Sequence, residues 1–159
     1  MTVETSIRPA DRSVVEECSA LDALLRSAMV DRRGGEAWLA EHEPLGDLGE
    51  WWTDSFVACV DDVVVGFLVG RVAVDARGRL FVVDRVFVHE QARGLGCGDD
   101  LLDAAIAHGI TRGCDHLEGS ALPGDRETKN LYERAGVTAR SITVSRRLSA
   151  PSNSVDASR

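Results

Sequence analysis

The apolar positions of the chain fall into two rhythms. Val14, Leu21, Leu24, Leu25 and Ala28 recur near helical spacing and predict a helix over residues 13–29, capped by Asp11 after the break at Pro9-Ala10. Residues 36–42 predict a short second helix carrying Trp38 and Leu39, and residues 44–50 a loop. Valine-rich runs at 56–60 and 63–74, separated by Asp61-Asp62, predict a hairpin. Gly66 and Gly70 inside its second arm point to a bulge or close packing. After a turn at 75–78, residues 79–88 predict the central strand, in which period two would set Asp84 on one face with Val86 and Val88. Leu101, Leu102, Ala105 and Ile106 share one face of a helix running to about Thr111. Residues 115–122 predict a parallel strand and 127–135 a helix capped by Asp125. Residues 139–148, where Ile142, Val144 and Arg146 alternate, predict a last strand, and a weaker alternation over 2–8 a first one. A hairpin meander feeding a strand–loop–helix unit implies an α/β (α+β) chain whose mixed sheet is antiparallel first and parallel later. Residues 1–148 form one domain on this pattern, and the apolar-poor 149–159 reads as a disordered tail.

The stretch that carries chemistry is the junction after the central strand. Val86-Phe87-Val88 passes through His89-Glu90-Gln91-Ala92 into Arg93-Gly94-Leu95-Gly96-Cys97-Gly98 and then into a helix. A strand, a glycine-spaced turn and a helix start turn free backbone N–H groups toward an anion. A dinucleotide-binding turn wants Gly-x-Gly-x-x-Gly, whereas this loop is Gly-x-Gly-x-Gly and much chain precedes it. A triphosphate loop wants Gly-Lys-Ser/Thr, whereas this one ends Gly98-Asp99-Asp100.

Composition narrows the field. Of the 159 residues 44% are hydrophobic, enough for a core, and the net charge of −8 argues against a nucleic-acid groove and mildly favours a cationic partner such as an amine. Cys18, Cys59, Cys97 and Cys114 are scattered without a Cys-x-x-Cys pair or nearby histidines, so neither a metal site nor a disulfide framework is suggested. Reduced thiols, with no secretion signal and no spanning apolar segment, imply a cytoplasmic protein away from membranes.

Gln91-Ala92-Arg93-Gly94-Leu95-Gly96 resembles the Q/R-x-x-G-x-G/A motif of the GNAT superfamily of acyl-CoA-dependent N-acyltransferases. The likeness extends through Gly98, Leu101 and Leu102, and over the element order from Ile7 to Leu148. Lys129-Asn130-Leu131-Tyr132 resembles the family's late helix, where a Leu-Tyr pair precedes a glycine, here Gly136. The resemblance implies a parallel strand pair splayed around the coenzyme, helices on both sheet faces, and acetyl-CoA as co-substrate with no metal.

By motif match, the pyrophosphate grip would fall to Gln91, Ala92, Arg93, Gly94, Leu95, Gly96, Gly98 and Asp99. Val86, Phe87 and Val88 would pair with the pantetheine arm, and Asn130 and Tyr132 would border the coenzyme. Tyr132, the one tyrosine, would protonate the leaving thiolate, or else pack as core. The base would be Asp84, unless it belongs to a structural ion pair, then Glu118, or a water relay. His89 and His108 read as solvated, and Cys97 as a small packing residue. Departures from the family pattern at Glu90, Asp125 and Val137 fall on the acceptor side. The expected activity is transfer of an acetyl group to a primary amine, of a small molecule or a protein, in a ternary complex; the alternative is a non-catalytic acyl-CoA sensor. Family members are often homodimers. The acceptor's identity and the acyl length stay open.

Overall fold

The computed structural model describes residues 2–149. Five strands form one sheet in chain order: β1 (Thr5–Pro9), β2 (Phe56–Val60), β3 (Val63–Asp75), β4 (Gly78–Val88) and β5 (His116–Glu118). The first four pair antiparallel and β4 pairs parallel with β5, so the mixed sheet expected from the pattern is present. Helices α1 (Val15–Met29) and α2 (Gly35–Glu41) precede the hairpin, α3 (Cys97–Thr111) follows the glycine loop, and α4 (Arg126–Arg134) follows β5. Asp11 caps a short 3-10 turn, its Oδ1 accepting from Ser13 N at 2.8 Å, and the α-helix proper starts later, at Val15.

Strand alternation sorts the apolar residues into two layers. Val57, Cys59, Phe67 and Val69 pack under α1 and α2 with Cys18, Leu21, Leu25 and Trp38. Phe56, Ala58, Leu68, Phe81 and Val83 pack under α3 and α4 with Leu101, Leu102, Ala105, Leu131 and Tyr132.

A bulge changes the face of β4 midway. Val69 pairs with Arg85 but Gly70 pairs with Val83, which leaves Asp84 as the extra residue. Phe81 and Val83 therefore face α3 and α4, while Arg85 and Phe87 beyond the bulge turn toward α1 and α2. Period two holds from Arg85 to Val88, with Val86 and Val88 sharing a face, and breaks across Asp84, between Val83 and Arg85. Gly70 is required beside the bulge, since a Cβ there would lie 2.2 Å from the Phe81 ring.

Two expectations need correction. β5 is three residues long rather than spanning 115–122. Residues 138–149 form no strand, and Ile142 and Val144 are 86% and 88% exposed. The alternation is real, but a strand needs a hydrogen-bonded partner, and among the described residues this stretch pairs with none, although β5 ends the sheet with one neighbour. The expected tail falls, from residue 150 on, outside the described residues.

Candidate active site

The site begins where β4 and β5 separate. β5 pairs only Leu80, Phe81 and Val82 of β4. Beyond Val82, residue 83 and residues 85–88 keep their β3 partners but have no strand on the other side among the described residues. Such an edge presents main-chain donors and acceptors to an extended ligand.

The loop that follows spends its first amides internally. Gln91 N donates to His89 Nδ1 at 3.1 Å, Ala92 N to His89 O at 2.9 Å and Arg93 N to Glu90 O at 3.3 Å. His89 is thus an intramolecular cap and not a solvated bystander, a role the sequence did not signal. The amides of Gly94, Leu95 and Gly96 make no such bond among the described residues. Those of Cys97, Gly98 and Asp99 open α3, where helix geometry leaves them without intrahelical acceptors, and Gly96 supplies no capping side chain. Gly94 and Gly96 take φ of 85° and 81°, which L side chains rarely adopt, and a Cβ on either would meet open space. The glycines therefore serve backbone direction and access.

A cavity of about 490 Å³ opens in front of these amides. Val86, Phe87 and Val88 form one wall, the loop and the first turn of α3 a second, and α4 with Leu25, Ala28 and Arg32 the remainder. Three arginines border it, each against an acid: Arg32 with Asp125 at 2.7 Å, Arg93 with Glu127 at 3.4 Å and Arg134 with Asp99 at 2.9 Å. Asp125 also caps α4, accepting from Thr128 N at 3.1 Å. Helix dipole, free amides and arginines together suit a di- or polyanion. A more open hollow of about 600 Å³ lies elsewhere, between α1 and the turn at Leu45, and none of the sequence-derived site residues lines it.

The acid–base candidates stand apart from the cavity wall. Asn130 and Leu131 line it, but Tyr132 turns into the core. Its hydroxyl reaches Gly119, just past β5, where a Cβ would come within 2.1 Å of the oxygen. Burial, and secondarily the charge of Asp125, pushes the phenol well above its ordinary range, so it stays protonated at neutral pH. Asp84 accepts from Arg85 Nε at 2.7 Å, and Arg85 Nη1 donates to Asp22 at 2.8 Å. Asp22 also accepts from Leu45 N at 2.9 Å, and the guanidinium lies 5.4 Å from the centre of the Trp38 ring. This network places Asp84 in an ion pair that reaches from the bulge to α1. Glu118 binds Arg77 and lies 3.1 Å from Arg140, and those bonds hold its carboxyl below the usual range. That weakens it as a base.

His108, at the far end of α3, bonds Asp54 at 2.7 Å, with Arg112 on the same oxygen at 3.0 Å. Burial first and Asp100 second raise the Cys97 thiol, which keeps it a packing group. Among the described residues no three His, Cys, Asp or Glu side chains are placed to hold a metal ion, and no helix is long and apolar enough to cross a membrane. Gly119, Asp22 and Arg85 went unnoticed in the sequence, because their importance lies in a close approach and a bulge rather than in a motif.

Comparison with known proteins agrees with the geometry. The acetyltransferase (GNAT) family model matches residues 21–137. Comparison with curated protein sequences finds no match. Among solved structures, the aminoglycoside N-acetyltransferase AAC(6')-Iy in complex with CoA superposes with a TM-score of 0.68 at 19% identity, over 94% of this chain and 98% of that one. A ribosomal-protein-alanine N-acetyltransferase from Brucella melitensis biovar Abortus 2308 gives 0.66 at 20% identity, over 93% and 100%. An aminoglycoside acetyltransferase from an uncultured soil metagenomic sample gives 0.65 at 15%, over 93% and 96%. Each is a likeness of fold, and the family match spans most of the chain: the chain belongs to the GNAT family of acetyltransferases.

Proposed function

We propose that residues 1–148 form one transferase domain that moves an acetyl group from acetyl-CoA to a primary amine by direct attack in a ternary complex. The observation that carries this is the run of unengaged amides at Gly94–Asp99 facing a cavity beside the unpaired edge of β4. These amides would hold the coenzyme's diphosphate, and 86–88 its pantetheine arm. Acetyl-CoA supplies the acyl group and a thiolate leaving group. The amine nitrogen bonds to the carbonyl carbon, the carbon–sulfur bond breaks, and the thiolate takes a proton from Tyr132. The amine gives up its proton to Asp84 or to water. Acceptor chemistry is supported by charge: residues 11–62, which include α1, whose Leu25 and Ala28 line the cavity, hold 13 acidic side chains and 4 basic ones. Such a field draws cations. The CoA-bound aminoglycoside enzyme of the same fold fits this class of acceptor.

A second reading, a non-catalytic acyl-CoA sensor, is favoured by one fact: neither Tyr132, Asp84 nor Glu118 lines the cavity. Incubation with acetyl-CoA and a panel of amines, followed by thiol release, separates the two. Amine-dependent thiol release supports the enzyme, and coenzyme binding without turnover on any amine supports the sensor.

A further inference from the structure

Arg85 is paired twice where one acid would neutralise it. Its side chain is 1% exposed, its Nη1 donates to Asp22 at 2.8 Å and its Nε to Asp84 at 2.7 Å. The Asp22 side chain is as enclosed, at 2%, whereas that of Asp84 is 26% exposed. A buried guanidinium needs one carboxylate, and a second buried one adds its own desolvation penalty. The second acid therefore needs a reason.

The charges supply one. Asp22 Oδ1 takes Arg85, and Oδ2 takes Leu45 N at 2.9 Å. Arg26, one turn further along α1, donates to His42 O and not to this carboxylate. Two carboxylates and one guanidinium leave one net negative charge. Asp22 is enclosed and has both oxygens bonded, so the surplus falls on Asp84, whose Oδ1 accepts no hydrogen bond among the described residues. Glu118, the other acid near the splay, has no such surplus. It and Asp75 meet Arg77 and Arg140, two groups of each sign.

Place matters as much as sign. Asp84 lies two residues beyond Val82, the last residue of β4 to pair with β5, and two before Val86, the first of that strand to line the cavity. Two residues of strand span about 7 Å. As the bulge residue, Asp84 also stands outside the β3 ladder.

We propose that Asp22 is a positioning residue for the acceptor amine. It satisfies Arg85 from the α1 side, so that Asp84 keeps a net negative charge and pairs with the ammonium of an incoming acceptor. This rests on the acetyl-CoA reading above and deepens it, because it makes cationic amines the favoured substrate class. With Asp22 neutral, Arg85 and Asp84 would cancel.

Titration calorimetry of the full chain with two coenzyme thioethers tests this whatever the natural acceptor is. S-(2-aminoethyl)-CoA carries an ammonium two carbons from sulfur, and S-propyl-CoA carries a methyl group in its place. The wild type should bind the ammonium compound about tenfold more tightly, the scale of one hydrogen bond to a charged group. Asp22→Asn, which keeps an acceptor for Leu45 N, should bring that ratio close to one. Asp22→Asn combined with Arg85→Gln removes both buried charges and returns one net negative charge to Asp84, so the ratio should climb back to about tenfold. A purely structural Asp22 predicts a double variant no better than the single one. Asp84→Asn, at the partly exposed end, should also give a ratio close to one. Failure of S-propyl-CoA to bind the wild type would overturn the coenzyme reading and this proposal with it. If S-propyl-CoA binds, then a wild type without preference, a preference kept by Asp22→Asn or Asp84→Asn, or a double variant that recovers none would each overturn the proposal and leave the coenzyme reading standing.

Discussion

Gly119 offers a way to move Tyr132 without touching it. A Cβ at this position would lie 2.1 Å from the hydroxyl oxygen, 2.5 Å from Cζ and 2.9 Å from Cε1. Restoring a 3.4 Å contact requires the hydroxyl to retreat by about 1.3 Å. Gly119 is not among the glycines with positive φ, so the backbone accepts alanine and the strain falls on the ring. Overpacking of this kind costs ~1–3 kcal/mol of stability. A misplacement of ~1 Å in a reacting group costs ~10²-fold in rate, or about 2.7 kcal/mol of barrier. Gly119→Ala should therefore lower kcat about 10²-fold in a thiol-release assay. Gly119 lies outside the cavity wall, so KM for acetyl-CoA should not change. In a Tyr132→Phe background, where the proton donor is already gone, the same substitution should add little. If Gly119→Ala lowered the melting temperature but kept the wild-type kcat, or if the two losses multiplied, Tyr132 would not be the proton donor.

Other perturbations test the scaffold. Arg85→Met strands the buried Asp22 carboxylate with only the Leu45 amide, and urea unfolding should show a loss of about 3–5 kcal/mol; Asp22→Asn added to it should recover part of that loss. Burial, and then the Glu17 charge, pushes the Cys18 thiol from 9.0 up to about 12. A raised folded-state pKa gives stability that is complete below the ordinary thiol range and lost as pH climbs toward 12. Melting temperatures measured from pH 8 to pH 12 should therefore fall less steeply in Cys18→Ala than in the wild type. Asp125→Ala removes the α4 cap and should cost about 1 kcal/mol more in chemical denaturation than Asp125→Asn, which keeps an acceptor for Thr128 N.

The elements most legible in the sequence were those defined by local pattern. The hairpin at Asp61-Asp62, the glycine turn before α3 and the capping aspartate of α4 each follow from residues within a few positions of one another. The less legible features depend on long-range geometry. The bulge at Asp84 exists because β3 and β4 slip by one residue, and Gly70 and Phe81 must meet there. The slip turned a candidate base into a partner of Arg85 and, through it, of Asp22, 62 residues earlier in the chain. Residues 139–148 have the composition of a strand, but composition cannot say whether an edge is within reach. The loop's phosphate chemistry was visible in its glycines. That Gln91, Ala92 and Arg93 would spend their amides on His89 and Glu90 was not, because that depends on the 3-10 turn they adopt.

The most direct test compares two glycines. Gly96 and Gly113 sit just before and just after α3, with φ of 81° and 73° and nothing within 4 Å of an added Cβ. Gly96→Glu and Gly113→Glu thus carry similar backbone strain and the same added charge. Titration calorimetry with CoA should show that Gly113→Glu binds like the wild type while Gly96→Glu shows no detectable binding. CoA binding to Gly96→Glu at wild-type affinity would mean that the amides of this loop do not hold the diphosphate.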